Sequence, residues 1–176
     1  MTTSTHDLWV FGYGSLMWRP GFPFQERVTA QLIGMHRALC VYSHVHRGTP
    51  ERPGLVLGLD RGGACRGVAF QVAAADREAT IAYLREREQV TSVYLEVMRW
   101  VTLDEPARRR IHALTYIVDR GHSQYAGRLS PDEQLHHVRQ GHGRSGANPD
   151  YVKNTVGAIE ELGFRDKSLH GLASRL

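Results

Sequence analysis

The most informative stretch of the sequence is Phe11-Gly12-Tyr13-Gly14-Ser15-Leu16-Met17-Trp18-Arg19. It follows a short apolar run, residues 8–11, that is predicted to be a first β-strand. Because glycines alternate here with a tyrosine and a serine, the chain can leave the strand with positive φ and point consecutive N–H groups into one concavity. Such a concavity suits a carboxylate or a phosphate, and a glycine-rich β-turn without a ligand is the alternative. The spacing matches neither the GxGxxG nucleotide fingerprint nor the phosphate-binding P-loop.

The bulk composition is that of one compact globular domain. The chain has 176 residues, of which 41% are hydrophobic and 23% charged, enough apolar material for a buried core. We expect one domain over residues 8–176, preceded by a flexible N-terminus at residues 1–7. No apolar run approaches the roughly 20 residues of a membrane span, and the first seven residues lack the apolar centre of a signal peptide. The sequence therefore predicts a soluble, cytoplasmic protein without a membrane partner.

The positive charge of the chain raises the question of nucleic-acid binding. The formal net charge is +4, but the arginines are scattered, and residues 108–110 form their only run. No aromatic residues interleave with that run. We interpret it as a solvated turn, predict no nucleic-acid partner, and expect the positive charge to help hold an anionic small molecule.

The cysteines and histidines do not predict a metal site. Cys40 and Cys65 lie in strand-like apolar surroundings without CxxC spacing, so we expect buried thiols. There are ten histidines, including His44 and His46 in a predicted loop. No HExxH motif or other set of ligands with fixed spacing appears among them, so we predict no bound metal.

Most of the chain before residue 120 is predicted to be β-structure. Six or seven antiparallel strands are expected, within residues 8–11, 27–43, 55–60, 65–72, 94–103 and 110–118. We predict that the run 27–43 forms two strands, bent or broken near Gly34. Residues 61–63, Arg-Gly-Gly, signal a hairpin, while the polar segments 44–54 and 119–129 are predicted loops.

One helix is expected between these strands, at residues 76–90. Ile81 and Leu84 mark its core side. At about 100° per residue, Glu88 returns to within about 20° of the direction of Ile81, whereas Glu86 points well away. The pattern therefore predicts that Glu86 is solvated and that Glu88 is carried toward the interior at the end of the helix.

A half-buried carboxyl group at position 88 would have chemical consequences. Burial removes hydration from the charged form, so the pKa rises toward the range in which one group can both take and give a proton near neutral pH. The alternative is an ion pair between Glu88 and Arg85 or Arg87 at the surface.

The last third of the chain is predicted to be helical. Ser130 begins a capping box with proline at the first helical position, and Gly141 ends that helix. Residues 148–150 are expected to cap a second helix that runs to Gly163, and a short third helix begins at Asp166. These elements together predict an α+β fold, with a small, mostly antiparallel β-barrel, one inserted helix and flanking C-terminal helices.

A series of motifs runs through the chain in a fixed order. They are Phe11-Gly-Tyr-Gly-Ser-Leu-Met-Trp18, His46-Arg-Gly-Thr49 with Pro53-Gly54, Gly67-Val-Ala-Phe70, Arg87-Glu88, Tyr125, and Ser145-Gly146 followed by Asn148 and Tyr151. From about Trp9 to Leu172, the series resembles that of the ChaC-type, glutathione-specific γ-glutamylcyclotransferases. Two positions depart from many relatives, which have an aromatic residue at Arg66 and glycine at Ser92.

The resemblance implies the γ-glutamylcyclotransferase-like fold and cleavage of glutathione to 5-oxoproline and Cys-Gly without a cofactor. It implies that Glu88 is the catalytic residue. The residues that it places in contact with the γ-glutamyl group are those of the loop, Tyr13, Gly14, Ser15 and Leu16. Tyr125 matches a tyrosine expected near the pocket, and Arg47 lies in a loop that is expected to contribute to substrate binding.

Two other functions remain open from the sequence. One is a cyclotransferase for other γ-glutamyl compounds, such as γ-glutamyl amino acids or γ-glutamylamines. The other is a noncatalytic module that binds an anion or a nucleic acid and turns nothing over.

Overall fold

The strands of this chain close into a barrel. In a computed structural model, which describes residues 6–89 and 92–176, the barrel strands are β1 (Leu8–Gly12), β2 (Glu26–Ser43), β3 (Gly54–Val72), β4 (Tyr94–Leu103) and β5 (Arg110–Val118). Their order around the barrel is β1-β3-β2-β4-β5. The prediction of an α+β fold with a small barrel is confirmed.

The short first strand lies between two partners of opposite direction. Strand β1 pairs antiparallel with β3, with Val10 opposite Phe70, and parallel with β5, with Trp9 opposite Ala113. Val10, Phe70 and Ala113 are fully buried. The pair β1–β5 is thus an exception to the predicted antiparallel pattern, and β1 carries the chain from the middle of the sheet directly into the glycine-rich loop.

Two of the predicted strand boundaries do not exist. Residues predicted as two strands around Gly34 form the single strand β2, in which Gly34 has φ +94°. The predicted hairpin at residues 61–63 is wrong, since β3 runs through it without reversing. Gly62 and Gly63 do have positive φ, +99° and +66°. The two glycines therefore adopt the conformation of a turn signal, but the chain continues along the barrel.

Four α-helices accompany the barrel within the described residues. They are α1 (Arg77–Glu88), α2 (Pro131–Gln140), α3 (Asn148–Glu161) and α4 (Lys167–Ala173). Helix α1 is the inserted helix, between β3 and β4, and ends at Glu88; residue 90, the predicted end, lies outside the described residues. Helices α2, α3 and α4 pack against one another. Residues 142–147, between α2 and α3, contain a two-residue strand pair, β6 (His142–Gly143) and β7 (Gly146–Ala147).

The helix caps follow the sequence in part. The capping box at Ser130 is complete: its hydroxyl accepts from the N–H of Glu133, whose carboxylate accepts from the N–H of Ser130. The carboxylate of Asp166 accepts from the N–H of Leu169 at 3.0 Å. Asn148 is not the cap of α3. Its buried amide instead bonds both the N–H and the carbonyl of Leu55, each at 2.8 Å.

The chain divides into two compact units. The first comprises the residues up to Arg37 together with Arg61–Ile117, and the second comprises Ala38–Asp60 and Val118–Leu176. Strands β2 and β3 contribute residues to both. Of the N-terminal segment predicted to be flexible, residues 1–5 lie outside the described residues, and the carboxylate of Asp7 accepts hydrogen bonds from Gln71 and Ala74.

Candidate active site

The loop after β1 turns back on itself at once. Residues Ser15–Met17 form one 3₁₀ turn, in which the N–H of Met17 donates to the carbonyl of Gly14 at 2.9 Å. The N–H groups of Ser15 and Leu16 come before this first bond of the turn, so the turn itself does not use them. The loop therefore offers backbone donors next to the hydroxyl of Ser15, an arrangement that suits an anion.

Close packing explains the glycines of this loop. Gly14 has φ −131°, so the predicted left-handed conformation is wrong at this residue. A Cβ on Gly12 would lie 2.8 Å from the Cβ of Leu16, and a Cβ on Gly67 would collide with the carbonyl oxygen of Gly12. The 3₁₀ turn can fold back over the end of β1 because Gly12 carries no side chain, and β3 can approach the end of β1 because Gly67 carries none.

Three arginines bind the backbone carbonyl groups of the loop. Arg37 donates from Nε to the carbonyl of Tyr13 at 2.6 Å, and Arg27 donates to the carbonyl of Met17 at 3.0 Å. Arg87, from the last turn of α1, donates to the carbonyl of Pro20 at 3.2 Å. Because these carbonyl groups are bound by cations from within the first unit, the conformation of the loop is fixed without a ligand.

Arg87 also connects the loop to the acid that the sequence singled out. Its guanidinium donates to the hydroxyl oxygen of Ser15 at 2.8 Å and to that of Tyr83, one turn earlier on α1, at 3.0 Å. Its Nε lies 3.6 Å from Oε1 of Glu88. A guanidinium is a rigid planar fork of five N–H donors, so one side chain can hold several groups at defined positions. Arg87 thereby brings Glu88 and Ser15 to the same guanidinium.

Glu88 is withdrawn from water at the end of α1. Its side chain is 19% exposed, whereas Glu86 is exposed, as the helical phase predicted. Burial raises the pKa of the Glu88 carboxyl above its ordinary value, and the positive charge of Arg87 opposes that rise. The alternative of an ion pair is also realised, with Arg87, but this pair is not at the surface because both side chains are 19% exposed.

A buried tyrosine lies within electrostatic reach of Glu88. The hydroxyl of Tyr116 donates to Oε1 of Glu96 at 2.8 Å, and Arg85 binds both oxygens of Glu96, at 3.1 and 2.9 Å. Burial, the bond to Glu96 and the charge of Glu88 all raise the pKa of Tyr116, and the bond from Arg85 lowers the pKa of Glu96. The phenol of Tyr116 therefore stays protonated, and Glu96 stays charged, while Glu88 titrates.

Arg47 belongs to the second unit. Its guanidinium donates to the carbonyl of Ala147 at 3.1 Å, and its Cζ lies 5.5 Å from the centroid of the Tyr151 ring. Its N–H donates to the hydroxyl of Ser43 at 2.9 Å. These contacts hold the loop before β3 against the start of α3. That Arg47 binds substrate stays a prediction.

Tyr125 also belongs to the second unit and is held by a buried acid. Its hydroxyl donates to Oδ2 of Asp60 at 2.7 Å, and Arg120 donates to Oδ1 of the same carboxylate at 2.7 Å. Asp60 is only 6% exposed. Burial and the bond to Asp60 raise the pKa of Tyr125 to about 12. The phenol is therefore protonated at neutral pH, and its proposed contact with substrate stays a prediction.

Sequence reasoning missed the residues that position the candidate site. The sequence predicts Arg87 as a possible ion-pair partner of Glu88 and as part of the Arg87-Glu88 motif, but no signal in it predicts the bonds to Ser15 and Tyr83. Arg37 and Tyr116 lie on β2 and β5, where alternation alone does not separate a loop-binding or acid-binding side chain from an ordinary barrel residue. Arg66, one of the two positions at which the sequence departs from the resemblance, pairs with Asp104 at 2.8 Å.

The predicted site residues lie apart from the open cleft of the second unit. The second unit contains an open cleft of about 510 Å³, which is lined by Arg52, Asp132, Leu135, His136, Arg139, Gln140 and Arg175. None of the predicted site residues lines it. Within residues 6–89 and 92–176, no three His, Cys, Asp or Glu side chains are grouped to hold a metal ion. None of the described helices has the length and apolar character needed to cross a membrane.

Known proteins resemble this chain over most of its length. A glutathione-specific γ-glutamylcyclotransferase of Escherichia coli is 34% identical over 94% of this chain and 71% of its own. The γ-glutamylcyclotransferase 2-3 of Arabidopsis thaliana is 32% identical over 96% of this chain and 88% of its own. A yeast γ-glutamylcyclotransferase specific to glutathione has the same fold, with a TM-score of 0.85 over 96% of this chain and 94% of its own, at 22% identity.

A family model brings these likenesses together. The model described as ChaC-like protein matches residues 8–176. That range begins with β1, and it contains the loop of residues 13–16, the last turn of α1 and the helices after the barrel. The chain therefore belongs to the ChaC-like protein family.

Proposed function

We propose that this protein is an enzyme that degrades glutathione, releasing 5-oxoproline and Cys-Gly by cyclisation of the γ-glutamyl group. The observation that carries the proposal is the environment of Glu88, a carboxyl withdrawn from water beside the guanidinium that binds Ser15. Membership of the ChaC-like family and the names of the relatives support this reaction and this substrate. In reaction class the protein is a lyase that breaks a C–N bond by closing a ring.

Glu88 acts first as a base in the proposed mechanism. The substrate's α-ammonium group cannot attack its own γ-carbonyl carbon until it loses a proton. The ionised carboxylate of Glu88 takes that proton, and the free amine then attacks to close a five-membered ring. Holding the flexible γ-glutamyl chain in attack geometry lowers the barrier, since a well-posed intramolecular reaction has a high effective concentration.

Glu88 then acts as an acid. The carboxyl holds the first proton and gives it to the nitrogen of Cys-Gly, and the C–N bond of the tetrahedral intermediate breaks. The carboxylate that this restores takes the second proton from the ring nitrogen and gives it to the released amine. A raised pKa suits a group that must both take and give a proton near neutral pH. The N–H groups of Ser15 and Leu16 bind the substrate's negatively charged oxygens during these steps.

The proposal is tested by incubating the purified protein with glutathione and measuring 5-oxoproline and Cys-Gly. We expect both products in equal amounts, and near-complete loss of both in Glu88→Gln, which keeps the shape and removes the proton carrier. Glu86→Gln, an exposed change on the same helix, is the matched control and retains activity. A Glu88→Gln variant within a few-fold of the parent would contradict the assigned role.

The same assay separates glutathione from other γ-glutamyl substrates. We expect faster release of 5-oxoproline from glutathione than from γ-Glu-Ala at equal concentration, and the reverse order would favour the broader cyclotransferase activity. The cytoplasmic location stays a prediction, which fractionation of cells that express the protein would test.

A further inference from the structure

The hydrogen bond between Arg87 and Ser15 can have only one direction. A guanidinium carries donors and no acceptor, so the nitrogen of Arg87, at 2.8 Å, must donate to the hydroxyl oxygen of Ser15. The hydroxyl oxygen of Tyr83, at 3.0 Å, must likewise accept from this guanidinium. Arg87 therefore decides which way the Ser15 hydroxyl is polarised.

The hydrogen of the Ser15 hydroxyl is left to donate elsewhere. The structure assigns it no acceptor among residues 6–89 and 92–176, and the side chain is only half-buried, so a ligand can reach it. A hydroxyl that accepts from a cation is also a stronger donor, because hydrogen bonds in a chain polarise one another. Ser15 is thus prepared to donate to an acceptor, such as a carboxylate oxygen.

The charge around Arg87 favours an acceptor that carries a full negative charge. Arg87 is 19% exposed, and Glu88, at 3.6 Å, is its carboxylate neighbour in the described part of the chain. Whenever Glu88 holds a proton, as it must during the proposed reaction, the guanidinium loses that counter-charge. An anionic ligand bound through Ser15 would replace it.

We propose that Arg87 is a positioning residue that orients the Ser15 hydroxyl as a donor to the free α-carboxylate of the γ-glutamyl group. The inference rests on the proposed function and goes beyond it by specifying the substrate class, γ-glutamyl compounds whose α-carboxyl group is unmodified. The α-carboxylate is charged in the ground state and in the transition state alike. The contact therefore stabilises both states and governs binding more than turnover.

The test measures binding directly, in a Glu88→Gln background that holds substrate without consuming it. Calorimetry compares glutathione with the analogue whose γ-glutamyl α-carboxylate is a carboxamide. We expect glutathione to bind at least tenfold more tightly. In the Ser15→Ala variant of the same background, this ratio should fall by roughly tenfold or more, the size of a hydrogen bond to a charged group.

A second variant tests the part played by Arg87. Arg87→Lys keeps the positive charge, but one ammonium nitrogen cannot take the places of the two guanidinium nitrogens that bind Ser15 and Tyr83 separately. We expect the ratio to fall as it does in Ser15→Ala. Arg109→Lys is the matched control, since Arg109 is an exposed arginine of the same unit that pairs with Glu26 and Glu105, and it should leave the ratio unchanged.

Two results would overturn the inference. One is equal affinity for glutathione and its carboxamide; the other is a preference for the carboxylate that survives both Ser15→Ala and Arg87→Lys in folded protein.

In the otherwise unchanged enzyme, Ser15→Ala should raise KM with kcat within a few-fold, and a loss confined to kcat would place the hydroxyl on the γ-carbonyl oxygen instead. Absence of 5-oxoproline from the parent enzyme would contradict the proposed function, whereas these binding results bear on Ser15 and Arg87 alone.

Discussion

A carboxyl group that must alternate between base and acid needs surroundings that keep its two forms close in free energy. At Glu88 two opposed influences do this: burial favours the neutral form, and the guanidinium of the preceding residue favours the charged form. The balance lies on the side of burial, so the charged form is held at a cost to folding. Ionisation of Glu88 should therefore lower the stability of the folded protein, an effect that can be measured without substrate.

We predict that Glu88→Gln stabilises the protein at neutral pH. In the folded state the pKa of Glu88 is raised, so the parent loses stability as the pH rises from the ordinary pKa of glutamate to that raised value, and loses no more above it. Below the ordinary pKa of glutamate the carboxyl is protonated in both states, and the variant should then equal the parent. The measurement is the Tm of both proteins between pH 4 and pH 8.

Glu86→Gln is the control for this comparison, because Glu86 is solvated on the same helix. Its Tm difference from the parent should stay nearly constant with pH. A Glu88→Gln variant that loses stability progressively as the pH rises would mean that the ion pair with Arg87 outweighs burial.

For single residues, the sequence predicted part of the candidate site. The helical phase separated Glu88 from Glu86 correctly, because helix periodicity is a local property. Of the two residues that mark the core side, Leu84 is buried but Ile81 is only half-buried. The role of Arg87 was not predictable, since its partners Ser15 and Pro20 lie far away in the chain and meet it only in the folded protein.

In this chain, local sequence signals predict the course of the strands less well than they predict the burial of single residues such as Glu88. The Arg-Gly-Gly sequence at residues 61–63 has the composition of a hairpin turn and even its positive φ values, yet β3 continues through it. Strand β3 continues because it pairs with its neighbours in the barrel. That pairing depends on strands distant in sequence, which the local residues 61–63 cannot predict. The capping box at Ser130 was predicted correctly because all of its atoms lie within four consecutive residues.

We predict that Gly12→Ala destabilises the first unit by about 1–3 kcal/mol, the usual range for overpacking. The added methyl group would lie 2.8 Å from the Cβ of Leu16, so the turn after β1 must move. Gly157→Ala in α3 is the matched control, since nothing lies within 4 Å of the added atom. It should stabilise the protein by about 0.5–1 kcal/mol through helix propensity. Urea unfolding of both variants gives the two free energies, and equal effects would contradict the packing argument.

We predict that Asn148→Ala is more damaging than loss of a helix cap. Asn148 is fully buried and its amide satisfies both polar backbone groups of Leu55. Removing it leaves these groups unpaired, for an expected loss of about 2–4 kcal/mol in unfolding free energy. Ser130→Ala removes a true capping hydroxyl and should cost about 1 kcal/mol. Similar losses in the two variants would show that Asn148 contributes no more than a cap.

At the scale of the whole molecule, the sequence predicted the class of fold and one domain. The fold class is confirmed, and the domain prediction can be tested by unfolding. All three tryptophans, Trp9, Trp18 and Trp100, lie in the first unit, whereas three of the four described helices lie in the second. Tryptophan fluorescence and helical circular dichroism therefore report on different units.

We predict that these two signals change together on heating, in one cooperative transition. Strands β2 and β3 contribute residues to both units, so neither unit is a separate segment of chain. Two separated midpoints would contradict the prediction of one domain and would make each unit a folding unit of its own.

The surroundings of Cys40 have a consequence for redox chemistry. Burial and the nearby charge of Asp60 raise the pKa of this thiol to about 12, and Cys65, the other cysteine, is buried as well. Exchange with a disulfide requires an accessible thiolate. The protein, which is proposed to act on the thiol tripeptide glutathione, thus shields its own thiols. Glutathione disulfide should therefore form no mixed disulfide with the folded chain.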